Sequence, residues 1–593
     1  MSEVSHLTDQ LSKASWSYRW SVTVLLSYVT MKAAFDIFIL NLATANVPFH
    51  CAQAVIDNQT TEWGSVNISE LADTANFSIL DYKCFAPQFA REDNGRLAPI
   101  RVINDSSASN RPCTAWTYWP TEPGRRNMLM EYDFVCDRAY LADRMQTIMQ
   151  AGIFVSCCFA PLADAFGRKL PFILFAYIDL TSTILVIFVR DLTAQMVLRF
   201  FMGFGSPAVL TGVAYLTELI SEDYHGLHGN FYWILWVVGY TTSGVIAYLV
   251  MEWRLQMVLV AAIIATGYLS YPWSLIDSPK WLFASGHQSA AKDSLLRLFR
   301  RHGLDTATVE TMKVDEESTK LKGESETLQS SQANAELDSD SKKRRRQQPS
   351  NFELVRRQLS RLLPKESLCQ SKYLAVEAAF TVLFVANAMS YFSSSFRRDF
   401  ITKNPYLNVV ISGALELPAA FLAWFLTDRC GRRISNMLLL LPAGLLLILV
   451  PFVPQPPDVT FGAKSACALL SKFLITVSFC IVLIFGSESL PTNIRATSFI
   501  MASQVMRLGQ TLAPELNGLL LNVNPAFPNF FYGGFCVASG LLLILLPETH
   551  NRPMPDSIAD MAGLSLPDAC LPRARRQLQL QSVELPSRQS PTV

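Results

Sequence analysis

Charged side chains are scarce. Only 17% of the 593 residues are Asp, Glu, Lys or Arg, against about 25% in a soluble globular chain. That is too few to cover a folded surface of this size in water, and it excludes disorder throughout, which needs the opposite balance. An excess of one sign is missing too. The 50 Lys and Arg against 49 Asp and Glu leave +1, so nothing at whole-chain level points to nucleic acid. Histidine is rare, at 7 residues. No Cys-x-x-Cys pair or His cluster has zinc spacing, and there is no Gly-rich phosphate loop or nucleophile elbow. An enzyme, a bound metal and a cofactor are therefore not expected. What is abundant is hydrophobic surface, at 50% of residues.

That surface is gathered into runs of about 20 apolar residues, the length of a membrane-crossing helix. They are too long for barrel strands, and in lipid the backbone must satisfy itself within each span. Twelve spans are expected near 21–48, 142–163, 171–190, 193–220, 229–250, 254–275, 373–395, 406–427, 434–454, 465–486, 494–521 and 528–547. The first is no cleaved signal peptide, being too long and interrupted by Asp36. The fold class is an all-α polytopic membrane protein with two six-helix halves, 21–276 and 372–547. A polar segment, 277–371, separates them, flanked by a short N-terminus (1–20) and a tail (548–593).

The segment 51–141 carries four N-x-[ST] sequons, at Asn58, Asn67, Asn76 and Asn104, which places it outside the cell. It also carries Cys51, Cys84, Cys113 and Cys136, whose three connectivities the sequence leaves open. Short basic turns at Arg168-Lys169 and at Arg429 with Arg432-Arg433 lie on the other side, as the positive-inside bias requires. Both termini are then cytoplasmic. The stretch 314–350 is rich in Ser, Glu, Lys and Gln and reads as disordered. Its KKRRR run suits contact with anionic membrane lipid better than nuclear import.

Two turns repeat. Asp164-Ala165-Phe166-Gly167-Arg168-Lys169 follows span two, and Asp428-Arg429-Cys430-Gly431-Arg432-Arg433 follows span eight. They resemble the G-x-x-x-D-R-x-G-R-R turn of the major facilitator superfamily, whose halves are repeats. Further series narrow the resemblance: Val47-Pro48-Phe49-His50-Cys51, Thr217-Glu218, Trp253-Arg254-Leu255-Gln256, Ser278-Pro279-Lys280-Trp281-Leu282, Glu488-Ser489-Leu490-Pro491-Thr492 with Ile494-Arg495, and Pro547-Glu548-Thr549. Together with the cysteine-bearing first loop they look like solute carrier family 22, the organic cation, carnitine and organic anion transporters. The resemblance implies a plasma-membrane carrier of small organic ions, rocking about a central site and drawing on a coupling ion (H+ or Na+) or an exchange anion. It departs at Ala165, where the superfamily turn has Arg.

Ionisable residues inside spans are costly and face a cavity or a partner. Asp36, Asp179, Glu218, Glu416 and Arg507 are of this kind. Arg507 matches the position where, the resemblance implies, anion and carnitine members carry Arg and cation members Asp. A guanidinium fork suits a carboxylate; the alternative is an ion pair with Asp36 or Glu416. Glu416 matches an acidic position of cation and carnitine members, whereas Ala420 stands where several anion members have Lys. Tyr391 and Phe392 match the family's aromatic pair. Tyr232 and Trp236 add aromatic surface for ammonium or aryl groups, and Asn41 and Asp36 complete the expected substrate set. Asp164, Arg168, Asp428, Arg429, Arg432, Arg199, Glu218, Glu488 and Arg495 are read as cytoplasmic gate or structural pairs. A zwitterion or organic anion is preferred to a pure cation. The rivals are a non-transporting receptor-like or scaffold protein of the same fold, and a sugar porter.

Overall fold

The computed structural model describes residues 2–56, 59–62, 84, 88–91, 97–99, 112–119, 124–159, 162–310, 371–397, 400–402, 404–454, 462–489, 495–546 and 548–549. The four sequons, the 314–350 stretch with its basic run and the tail beyond 549 lie outside them.

Helices occupy all twelve expected spans. We number them α1 (Trp16–Ala43), α2 (Tyr140–Ser156), α3 (Lys169–Phe188), α4 (Leu192–Phe204, continued by Pro207–Leu219), α5 (Glu222–Leu249), α6 (Trp253–Tyr268), α7 (Ser371–Phe396), α8 (Pro405–Ala414, continued by Glu416–Cys430), α9 (Arg432–Leu449), α10 (Ala463–Ser489), α11 (Arg495–Val523) and α12 (Phe527–Leu542). Among the described residues nine, α1 and α3 to α10, are long and apolar enough to cross a membrane. The other three depart for visible reasons. The α2 and α12 helices have 17 and 16 residues and each runs on into a 3-10 turn. The α11 helix is 29 residues long but carries Gln504, Arg507, Gln510 and Asn517.

Local chemistry sets the helix starts. The Ser15 hydroxyl accepts from the Tyr18 amide at α1, and the Asp191 carboxylate from the Ala194 amide at α4. Asn404 caps α8 ahead of Pro405, whose missing N–H costs nothing at a first helical position. At the two repeated turns Gly167 and Gly431 have φ of +93° and +88°. That left-handed bend favours glycine, and it appears at equivalent places in both halves.

The molecule has two ends, the loop end with residues 44–139 and the turn end with Gly167 and Gly431. The loop contains strands that an all-α reading did not anticipate. β1 (Phe49–Cys51) pairs with β6 (Trp116–Tyr118), and a four-stranded sheet has the order β3 (Gln59–Glu62), β2 (Gln53–Ile56), β4 (Gln88–Arg91), β5 (Leu97–Pro99). Of the three connectivities, the structure takes Cys51–Cys113 and Cys84–Cys136. At the turn end, helix Ser2–Ala14 is not a bare tail. Its Val4, Leu7 and Leu11 form a small core with Tyr18 and with Leu295, Leu298, Phe299 and Val309 of the central segment.

Within each half the helices cross closely at small residues. A Cβ on Gly203 would collide with the Met149 carbonyl, and one on Gly152 with that of Phe200, so α2 and α4 touch backbone to backbone. Between halves, α2 packs on α11 and α5 on α8. Gln510 donates to Gln150 Oε1 at 2.7 Å and Thr511 to the Gln150 carbonyl at 3.2 Å. Nearer the loop end, Arg144 meets Glu515 at 3.4 Å. Arg125 holds the Ala247 and Tyr248 carbonyls of α5 and lies 4.6 Å from the Tyr406 ring of α8. These seams run from mid-membrane to the loop end. Among the described residues of the turn end, Arg168 meets Glu218 at 2.7 Å within the N-terminal half, and Glu548 accepts from the Arg432 and Arg433 amides at 2.9 and 3.1 Å within the C-terminal half. The halves are clasped at the loop end.

Candidate substrate site between the halves

Between the clasped halves, α5, α7, α8 and α10 bring a group of aromatic and charged side chains together. Tyr391 is central. Its hydroxyl donates to Glu416 Oε1, and its ring stacks on Phe479 at 5.1 Å and meets Phe392 edge-on at 5.0 Å. The ammonium of Lys472 sits 3.8 Å from the centre of the same ring. It donates to the Tyr391 carbonyl at 3.2 Å and to Ser395 Oγ. Trp236 from the other half lies beside both Glu416 and Tyr391. Phe38 of α1 stacks on Tyr240 at 3.4 Å and meets Trp236 at 6.1 Å.

Glu416 is 8% exposed and Lys472 0%. A buried charge costs several kcal/mol unless it is well paired. Here the acid and the base share one tyrosine, Glu416 at its hydroxyl and Lys472 over its ring face, instead of forming a direct pair. Lys472 is solvated by a carbonyl, a hydroxyl and a π face, and Glu416 by a phenol. The arrangement can accept an ammonium beside Glu416, a carboxylate beside Lys472, and an apolar or aryl body among the rings.

The second buried cluster lies in the N-terminal half. Lys32 and Asp36 are one helical turn apart on α1 and hydrogen-bonded, and Lys32 also meets Asp179 of α3 at 2.8 Å. A cavity of about 20 Å³ adjoins Asp36 and Asp179, room for about one water. Here the lysine has two carboxylates, and Asp36 turns to it rather than into the aromatic site.

The structure thus brings together Glu416, Tyr391, Phe392 and Trp236 of the expected substrate set, and sets others apart. Tyr232 is fully buried with its hydroxyl spent on the Val209 carbonyl at 2.8 Å, away from Glu416. Asn41 is buried on α1 towards the loop end. Arg507 pairs with neither Asp36 nor Glu416, and its Nε is buried without a partner among the described residues. It lies one turn before Thr511 on α11, facing the α2 seam.

Of the two readings given Arg199, cytoplasmic gate or structural pair, the position fits only the second: α4 starts where α3 ends, at the loop end, and Arg199 is seven residues into it, close to Tyr132 and Asp36. Its Nε and Nη2 are buried without partners among the described residues. Arg168 and Glu218 do pair, and the Arg432 guanidinium caps the Thr427 carbonyl at 3.2 Å. Arg429 lies 5.7 Å from the Phe425 ring. Asp164, Asp428, Glu488 and Arg495 stand on helices whose side chains at those positions lie outside the described set.

Sequence reasoning missed Lys32 and Lys472. The signal was present: a single lysine inside an otherwise apolar run is as costly as an acid there.

A fold of two six-helix halves around a buried polar site defines a carrier of the major facilitator type. Comparison agrees. The profile described as "Sugar (and other) transporter" matches residues 131–557, and the chain belongs to that family. Curated relatives include an "Organic cation transporter-like protein" of Drosophila melanogaster, 28% identical over 77% of this chain and 76% of its own. Mouse "Organic anion transporter 3" is 27% identical over 77% and 79%. Bovine "Solute carrier family 22 member 6" is 25% identical over 80% of each. The resemblance to solute carrier family 22 is borne out. Among solved structures, the E. coli xylose transporter XylE in an inward open conformation aligns with a TM-score of 0.53 at 12% identity, covering 91% of this chain and 98% of that one. That likeness concerns the fold alone.

Proposed function

We propose that this chain carries small organic ions across the plasma membrane by alternating access, with zwitterions and organic anions ahead of pure cations. The observation that carries the reading is the split pair: Glu416 and Lys472, both buried, one on the hydroxyl and the other over the ring face of Tyr391, in an aromatic site between the halves. A site built only for cations has no use for a buried lysine. One built only for anions has none for Glu416. Arg507, left unpaired by both acids, supplies a further cation for a substrate carboxylate as the halves rock. Asp36, held by Lys32, and Asn41, towards the loop end of α1, stand outside this substrate site. Asp164, Arg168, Glu218, Asp428, Arg429, Arg432, Glu488 and Arg495 act as the turn-end gate. The coupling ion is H+ or Na+, or the partner is an exchanged anion.

The disulfides Cys51–Cys113 and Cys84–Cys136 need an oxidising compartment. This supports a loop end facing outward, with both termini and the turns in the cytoplasm. The receptor-like alternative drew on the altered first turn, yet that turn keeps its left-handed Gly167 and an Arg168–Glu218 pair.

The test is uptake of labelled tetraethylammonium, carnitine and benzoate in cells expressing the chain, alongside Arg507→Ala, Glu416→Gln and Lys472→Met. Carnitine or benzoate should accumulate, and Lys472→Met and Arg507→Ala should lower benzoate uptake at least about tenfold, the worth of one charged hydrogen bond. Uptake of tetraethylammonium alone, unchanged by Lys472→Met, would sink the charge preference.

A further inference from the structure

A second cavity, of about 240 Å³, lies between the last turns of α4 and the first turns of α5. It is lined in part by Thr217, His225, His228, Asn230, Tyr232 and Trp233. Gly229 and Trp233 share one face of α5 with Trp236 of the central site. Gly229 to Trp236 is two turns, about 10 Å along the axis. The cavity therefore lies along α5 on the turn-end side of the central site.

Its polar groups are constrained in a common way. The Thr23 hydroxyl donates its one proton to the Arg19 carbonyl at 2.8 Å. At 2.7 Å from His228 Nδ1 it can then only accept, so Nδ1 carries the proton. That leaves Nε2 of the neutral ring a bare acceptor, and this atom is buried without a partner on a residue 1% exposed. His225 Nε2 lies 2.9 Å from the Ile220 carbonyl, so it is the donor there and its Nδ1 is an acceptor. Thr217 gives its proton to the Ala214 carbonyl at 2.9 Å, and Tyr232 gives its own to Val209. Two imidazole nitrogens and two hydroxyl oxygens thus offer lone pairs, with their own protons already spent on the backbone or on Thr23. The rings of Tyr232 and Trp233 meet at 5.7 Å and 87°, adding aromatic faces. The cation near His228, Arg19, is turned away onto the Ser12 carbonyl and the Tyr224 ring.

We propose that this cavity is a second binding site, between the central site and the turn end, for an N–H-bearing organic ammonium. His228 Nε2, His225 Nδ1 and Thr217 Oγ1 accept its protons, and Trp233 and Tyr232 cover its apolar body. A carboxylate is rejected, since it meets lone pairs with lone pairs. The proposal deepens the carrier reading, on which its place along the path rests, by naming the ammonium end of a substrate as the ligand.

The test is calorimetric titration of the purified full chain in detergent with phenethylammonium, trimethyl(phenethyl)ammonium and phenylacetate. Wild type and Glu416→Gln are compared with Glu416→Gln carrying either Thr217→Val or His228→Phe. Phenethylammonium should still bind Glu416→Gln. Thr217→Val, which keeps the side-chain shape, should weaken that binding about fivefold and His228→Phe about tenfold, in line with hydrogen bonds to a charged group. Trimethyl(phenethyl)ammonium should bind Glu416→Gln at least about tenfold more weakly, and phenylacetate, which Lys472 can still hold in the central site, should bind with an affinity indifferent to Thr217→Val and His228→Phe. If His228→Phe does not fold, Thr217→Val and the methylated probe still decide. Loss of all phenethylammonium binding in Glu416→Gln overturns this site and leaves the carrier reading standing, as does residual phenethylammonium binding indifferent to both substitutions. Binding sensitive to Thr217→Val, in a chain whose uptake ignores Glu416→Gln, upholds this site and removes the central one.

Discussion

Among the described residues each half of the molecule buries one lysine in a membrane helix, and the two are treated oppositely. Lys32 is held by two carboxylates, Asp36 and Asp179. Lys472 rests on a carbonyl, a hydroxyl and a ring, with Glu416 at that ring's own hydroxyl. The first cluster satisfies its base from within. The second holds acid and base apart, and a ligand bearing either charge improves it. Charge neutralised inside one half suits stability, and charge left divided at the junction of two halves is what the proposed carrier reading uses for binding.

Substitutions break that comparison in order of effect. Lys32→Met leaves Asp36 and Asp179 buried together without a cation. It should cost about 3–5 kcal/mol, read as loss of monodisperse protein or a large drop in melting temperature. Adding Asp36→Asn and Asp179→Asn should restore much of it. Lys472→Met exchanges a base without a carboxylate in contact for an apolar side chain of similar length. Stability should change by less than about 1.5 kcal/mol, while uptake of a carboxylate falls at least about tenfold. A thermal loss as large as that of Lys32→Met would show that both lysines are structural. The loop belongs to the N-terminal half alone. Removing Cys51–Cys113, which closes 62 residues, should lower its stability by about 2–5 kcal/mol, seen as faster proteolysis of the loop with the helices intact. The smallest effect is expected at the turn end. Arg168→Ala breaks one partly exposed pair with Glu218 and should cost about 1 kcal/mol or less. A larger change in uptake than in stability would mark that pair as a gate.

Much of this was legible early, and the failures have a pattern. Glu416, Tyr391, Phe392 and Trp236 were named from residue type and position, and the structure gathers them. The repeated turns foretold two glycines in the same left-handed bend. Arg199 lies at the loop end because the order of spans puts the start of α4 there, which its motif alone does not tell. Lys32 and Lys472 carry as strong a sequence signal as the intramembrane acids, because the cost of burial does not depend on sign. The second cavity had no early signal. His225 and His228 look like ordinary helix residues until the protons of Thr23 and Thr217 are traced.

By itself the sequence determined the number and length of the spans, their division into halves and the membrane setting. Those follow from single residues and their spacing, because lipid leaves backbone groups no partner outside the helix. The tertiary structure decided which charges meet. Lys472 and Tyr391 are 81 residues apart, and Gln150 and Gln510 are 360. Such pairs depend on how each helix is turned about its axis and how closely it crosses its neighbours. The same is true of the cysteine pairing and of the cavity between α4 and α5. Hydropathy is a sum over a helix and is nearly blind to rotation, whereas a binding site is set by which face points inward.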